Sequence, residues 1–331
     1  MKAGRLTLAM LGAGVLYAAP LSAQQRSPSF TLPPPPTGTL QAPSFNSKPD
    51  VSSDAPPPDA AFAAFQRGYF VTALREATKR LESNANDPPA MTLIAELYRS
   101  GLGVRRDLAE AARWYRLASD RGDPQAMFAL GRAYLEGAGV ATDAKQARLF
   151  FEKAAERNHP GALYNLGIME TDGAVANFVK AAEFFRRAST GGDNDATYAL
   201  AMFYREGTGV EKDRKQGAAL LKIAADENNI AAQVEYAIAL FNGDGVDKDE
   251  TAAGKYFLKA AARENPIAQN RIARMYASGR GVRLNMIEAM KWHILARSAG
   301  VNDDFLDGLL PTLSPTQRGA VEEAVRKFVG N

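Results

Sequence analysis

Residues 206–213 read EGTGVEKD, and near-copies stand at 136–143 (EGAGVATD) and 242–249 (NGDGVDKD). A Gly-x-Gly turn ahead of a helix, with an acidic residue close by, is either a phosphate cradle or a joint between helices. The phosphate motifs ask for more: a third glycine in one, Lys followed by Ser or Thr in the other. Neither is present, and no strand precedes the turn. One nucleotide site also leaves six spaced copies unexplained. Anchoring on the first glycine gives Gly101, Gly137, Gly173, Gly207, Gly243 and Gly279, with steps of 36, 36, 34, 36 and 36 residues. Periods in this range belong to helical solenoids, so the turn reads as a joint.

The residues ahead of each anchor form a helix. Eleven positions before it stand Ala90, Ala126, Ala162, Ala196, Ala232 and Ala268. Seven before stand Ile94, Leu130, Leu166, Leu200, Tyr236 and Ile272, and three before stand Tyr98, Tyr134, Glu170, Tyr204, Leu240 and Tyr276. Separations of four place them on one helical stripe. Six before the anchor only Ala or Gly occurs, which lets a neighbouring helix approach closely. This segment is helix A of each repeat.

A second helix follows the turn. Asp107, Asp143, Asp213, Asp249, Asn285 and, in the shortened copy, Asn177 fill an N-cap slot, where a side-chain oxygen accepts from the free N–H groups that open a helix. Glu110, Gln146, Gln216 and Glu288 follow at the spacing of a capping box. Helix B then carries a bulky pair, such as Trp114-Tyr115, Phe150-Phe151 and Trp292-His293, with an alanine four residues after its first member. Gly122, Asn158, Gly192, Asn228 and Gly300 share one register past its end, as a left-handed C-terminal residue requires. The next slot, Asp87, Asp123, His159, Asp193, Asn229 and Asn265, caps the following helix A, and Pro88, Pro124, Pro160 and Pro266 fill its first position.

The segment ALYNLG (162–167), the pattern YxxGxGVxxD as in Tyr204–Asp213, and KAA after the aromatic pair resemble Sel1-like repeats, relatives of tetratricopeptide repeats. The resemblance covers about residues 89–300 in six copies. It implies an all-α, right-handed α-solenoid of antiparallel helix pairs, used as an interaction scaffold. Some secreted relatives staple each repeat with a disulfide, and some of those are linked to penicillin-like compounds. This chain has no Cys, which weakens that link. The stretch TDGAVANF (171–178) is two residues short and lacks the second glycine, so a bend or register shift is expected there.

The flanks have their own signals. Lys2 and Arg5 precede an apolar stretch from Leu6 to Ala19, and Ala23 suits a cleavage site. Residues 1–23 are expected to be an export signal, too short to span a bilayer. Removing Lys2 and Arg5 from the 40 basic residues leaves 38 against 37 acidic ones, a net +1. Near-neutrality argues against nucleic acid as the partner. No later segment of the mature chain is apolar enough for membrane insertion. Residues 24–58 hold ten of the eighteen prolines and read as an extended linker, with Phe30 and Phe45 as possible anchors. Residues 59–86 read as a degenerate helical pair, 87–300 as the six repeats and 301–331 as capping helices. In the last, Ser314 and Gln317 form a capping box, and Leu313, Val321, Ala324, Val325 and Phe328 cover the end of the stack.

Catalysis finds little support in the sequence. His159 occupies a cap slot and His293 a bulky core slot, so both have repeat-level explanations. Without Cys, and with only two distant histidines, no metal site of ordinary ligand type is expected, and no cofactor motif or nucleophile elbow is present. We therefore expect no enzyme. Recognition is expected on the helix A face, at positions eight, five and one before each anchor: Arg132 and Glu136, Asn165, Met202 and Glu206, Glu235 and Ile238, Arg271 and Arg274. The expected function is an exported, periplasmic scaffold or regulator that binds a partner protein of the bacterial cell envelope through the concave face. The alternative is a peptidoglycan- or small-ligand-binding protein with weak hydrolase activity.

Overall fold

The computed structural model describes residues 59–172 and 176–330. The expected signal, the proline-rich lead and residues 173–175 of the shortened turn lie outside them. The described residues form helices joined by turns, with no strand among them. A first pair comprises α1 (Ala60–Gln66) and α2 (Phe70–Ser83). Helix A of the six repeats is α3 (Pro88–Ser100), α5 (Pro124–Glu136), α7 (Pro160–Thr171), α9 (Asn194–Glu206), α11 (Ile230–Asn242) and α13 (Pro266–Ser278). Helix B is α4 (Leu108–Asp120), α6 (Ala144–Glu156), α8 (Phe178–Thr190), α10 (Arg214–Asp226), α12 (Glu250–Ala262) and α14 (Met286–Ser298). α15 (Asp304–Leu309), a 3-10 turn (Leu310–Thr312) and α16 (Pro315–Val329) close the chain. From α1 to α14 each helix packs on its neighbours in sequence, α15 touches α13, and α16 lies on α14. This is the solenoid arrangement.

Every N-cap side chain expected in the six repeats accepts from a backbone amide of its helix. Asp123 Oδ1 accepts from the Ala126 amide at 2.7 Å, and Asp213 Oδ1 from the Gln216 amide at 2.9 Å. At the far end of α5, Gly137 takes φ 70° and donates its N–H to the Ala133 carbonyl. The left-handed register after helix B holds Gly122, Asn158, Gly192, Asn228 and Gly300, and Glu264 supplies the sixth member at φ 62°. Nothing local in the sequence marks that glutamate.

The capping boxes of helix B need correction. Glu110, Gln146, Gln216 and Glu288 do offer their amides to the cap side chain. The return bond is pre-empted, because each cap amide already has a partner. Asp107, Asp143, Asp213 and Asn285 donate instead to the carbonyls of Tyr98, Tyr134, Tyr204 and Tyr276, at 2.8–3.0 Å. Asn177 and Asp249 do the same toward Glu170 and Leu240. One backbone bond therefore fixes the start of each helix B to the last turn of its own helix A. The complete capping box occurs at Ser314 and Gln317.

The second glycine of the turn is fixed by crowding between repeats. Gly139 has φ 78°, and a Cβ there stands 1.9 Å from the Leu108 carbonyl oxygen at the start of the previous helix B. Gly209, Gly245 and Gly281 meet Phe178, Arg214 and Glu250 in the same way. The third repeat lacks this glycine. α7 ends at Asp172 in extended backbone. α7 and α8 still pair as the other helices do, and Asn177 keeps its bond to Glu170.

The core is a continuous run of alanines and bulky residues. Ala154, Leu166 and Phe185 are buried in one part, and Ala237, Phe257 and Ile272 in the next. Leu313 and Val321 are buried against the last repeat, and the Phe328 ring meets Trp292 at 5.2 Å between centroids. Burial of roughly 1.5–3 kcal/mol per large side chain holds an otherwise open end closed.

Candidate functional site

Helix A of each repeat buries the stripe at eleven, seven and six positions before its anchor. The positions at eight, five and one before lie on the other side of the helix from that stripe, exposed or partly buried except for Leu93 and Glu96 of the first repeat, which are buried. Their side chains line up from α3 to α13. The row at five before reads Glu96, Arg132, Ile168, Met202, Ile238 and Arg274. Its two ends are charged and its middle is apolar.

Most charges on this face are already satisfied. Glu96 is buried and accepts from Tyr115 Oη at 2.8 Å, Arg99 Nε at 2.9 Å and Ser100 Oγ at 2.8 Å. Arg132 pairs with Glu136 one turn along, at 2.7 Å. Asn165 Nδ2 donates to the Gly161 carbonyl at 2.7 Å. Glu206 is exposed. Glu235 accepts from Arg205 Nη1 at 2.7 Å, and Arg205 also reaches Asp244, which takes Arg214 at 2.9 Å. Arg274 binds Asp303 through Nε at 2.5 Å and Nη2 at 2.8 Å. Burial alone would raise the Asp303 carboxyl. Hydrogen bonds from Arg274 and Asn270 outweigh that and hold it below the usual carboxylate range. The three apolar residues Ile168, Met202 and Ile238 are partly buried, packed on the core from the outside.

The face thus gathers all the candidates, but it does not make them equivalent. Arg132, Glu235 and Arg274 are committed to internal partners. Arg271 has no hydrogen-bond or ion-pair partner among the described residues. Burial pushes its guanidinium below the ordinary arginine value, and neighbouring Arg274 pushes the same way. Arg205 and Asp244, bonded in one set with Glu235, and Asp303, bonded in another with Arg274, are missed by reading repeat positions alone. Their pairings span 29–39 residues, so local spacing carries no trace of them. Asp303 leaves one signal, as the N-cap of α15.

The histidines take the places their slots imply. His159 Nδ1 accepts from the Ala162 amide at 3.3 Å and Nε2 lies 2.9 Å from Gln125 Oε1. The ring stacks on Phe128 at 4.6 Å. Burial lowers its pKa to about 4, so it is neutral near pH 7, and the cap bond assigns the proton to Nε2. His293 is fully buried, with Nε2 3.0 Å from Asp307. Among the described residues no group of three or more His, Cys, Asp or Glu could hold a metal ion, and no helix is long and apolar enough to cross a membrane.

Comparison with known proteins agrees with this architecture. The family model described as Sel1 repeat matches residues 88–123, 124–159, 160–193, 194–229, 230–265 and 266–301. A Sel1 repeat protein from Oxalobacter formigenes superposes with a TM-score of 0.65 at 30% identity, over 72% of this chain and 98% of that one. The protein c5321, described as a protective antigen of uropathogenic Escherichia coli strains displaying an SLR fold, gives a TM-score of 0.64 at 27% identity. That match covers 82% of this chain but 61% of the length of c5321. No match was found among the curated proteins.

Proposed function

The chain belongs to the Sel1 repeat family, and from that premise we propose that it is an exported scaffold whose helix A face binds a partner protein of the bacterial cell envelope. Sel1 repeat proteins are generally protein-interaction scaffolds, and stacked helical repeats present an extended concave surface for the purpose. One observation carries the assignment to this face. Ile168, Met202 and Ile238 form an apolar row across three successive repeats, between charges that are mostly paired internally. A strip of that length suits an extended segment of protein better than a compact metabolite. Export rests on the basic and apolar N-terminal stretch of residues 1–23. The description of the similar c5321 as a protective antigen fits that reading.

Site-specific photocrosslinking in the native host tests the proposal. A photoreactive phenylalanine placed at Ile168, Met202 or Ile238 is expected to trap one discrete protein. The same probe at Val179 or Ile223, exposed on helix B, is expected to trap none. Equal trapping from both sets, or none from the first, overturns the assignment. Saturable binding of muropeptides by the purified chain, with no protein adduct, would favour the peptidoglycan-binding alternative.

A further inference from the structure

The charges around Arg271 can be counted. Arg274 is taken by both oxygens of Asp303. Glu235 is taken by Arg205. Asp244 lies between Arg205 and Arg214. The two carboxylates whose charge reaches Arg271, Asp303 and Glu235, are thus already bonded to other arginines, and among the described residues Arg271 is the cation left over there. It is partly buried, so water shields it poorly. An unpaired guanidinium in that setting costs stability, and nothing in the fold requires it. On the same face, one repeat away, lies Ile238, with Met202 beyond it.

We propose that Arg271 is the recognition point for a single carboxylate on the bound partner: one Asp or Glu side chain in an extended, otherwise uncharged segment whose neighbouring apolar residues lie over Ile238 and Met202. Guanidinium binds carboxylate through two parallel N–H···O bonds, with geometry that ammonium cannot copy. The partly desolvated position strengthens that bond. A phosphate-rich polymer fits less well, because Glu235 and Asp303 lie close to Arg271 and repel further anionic charge. The inference rests on the helix A face being the docking surface.

The probe is a phage-displayed library of random dodecapeptides, panned on the immobilised full chain. Selected sequences are then synthesised with their acidic residue intact or changed to the amide, and affinities are read by fluorescence anisotropy. On the wild type, acid-to-amide replacement is expected to weaken binding at least tenfold. On Arg271→Gln the two peptides should bind alike. Arg113→Gln, an equal change of charge at an exposed helix B position, should behave as wild type. Arg271→Gln should also melt at or above the wild-type temperature, since no internal bond is lost, so failure to bind is not failure to fold. Selection of acid-free peptides, or an acid preference that survives in Arg271→Gln, overturns the inference and leaves the docking face standing. A library that yields no binder overturns it too, and the crosslinking test then decides separately whether the face binds protein at all.

Discussion

At five boundaries the turn of one repeat rests directly on backbone. Gly103, Gly139, Gly209, Gly245 and Gly281 sit so close to the preceding even-numbered helix that a methyl group would stand 1.9–2.8 Å from main-chain atoms. At the third repeat the second glycine is missing from the sequence, and a charge contact stands in. Glu170, where four sister repeats have tyrosine, reaches back to Arg148 on α6 at 2.8 Å and across to Lys180 on α8 at 3.1 Å. The same helix B is engaged in both designs, once by close packing and once by ions. A steric joint is indifferent to salt and pH and intolerant of added volume. An ionic joint has the opposite sensitivities.

The largest predicted effect lies in the steric joint. Gly139→Ala forces a side chain into left-handed backbone and against the Leu108 carbonyl. The two costs together come to about 2–5 kcal/mol, which should lower the melting temperature sharply and by the same amount at low and high salt. Gly192→Ala separates the contributions. Gly192 has φ 86° but nothing within 4 Å of a new Cβ, so only the backbone cost of about 1 kcal/mol is expected. Equal losses at the two sites would show that crowding is not what fixes the second glycine.

The ionic joint comes next. The hydrogen bond from Arg148, opposed by burial and helped by Lys180, holds the Glu170 carboxyl below the usual carboxylate range. A carboxylate whose pKa is depressed in the folded state stabilises above its unfolded value of about 4.3. That stabilisation is lost as pH falls further, through the folded value. Glu170→Gln is expected to cost about 1–2 kcal/mol at pH 7 and low salt. The cost should be smaller in 1 M salt, where the half-exposed Lys180 is screened, and smaller again at pH 3. Chemical denaturation at these three conditions measures it. A cost independent of salt and pH would mean that Glu170 acts through packing.

These two joints also show what a sequence can and cannot disclose. Asp143 and Asn158 are legible because each satisfies a need of its own few residues, and Gly139 because its place recurs at a fixed step along the chain although the contact that demands it lies in the previous repeat. Glu170 is legible as a departure, but its remedy is not, since Arg148 and Lys180 are recognisable as partners only once three helices are packed. The same holds for Arg274 with Asp303 and for Arg205 with Glu235. The expected capping boxes fail for a related reason: a tyrosine carbonyl nine residues back reaches the cap amide first. Position on the helix A face is thus readable from spacing alone. Which of its charges remains unspent is not, and Arg271 stands out only after every other charge near it has been paired.

The smallest effects lie at the two caps that flank the third repeat, and they carry opposite signs. His159 opens α7 and Asp193 opens α9. Burial lowers the His159 pKa to about 4 from an unperturbed value of about 6.5, so its contribution is complete above about pH 6.5 and declines as pH falls toward 4. Protonation would also cost the cap its acceptor at Nδ1. For Asp193, burial and the nearby Asp195 raise the pKa to about 6. A raised carboxylate behaves in reverse: its contribution is complete below about pH 4 and is lost as pH rises through 6. Over the shared window from pH 6 to 4 the two trends nearly cancel, each worth roughly 1–2 kcal/mol at most. Asparagine removes either titration while keeping a good cap, as Asn229 and Asn265 do in sister repeats. His159→Asn is therefore expected to make stability rise as pH falls from 6 to 4, and Asp193→Asn to make it fall, with the double variant flat. Melting curves at half-unit steps across that window read the slopes directly. Two single variants with slopes of the same sign would show that the caps around the ionic joint titrate with it as one unit.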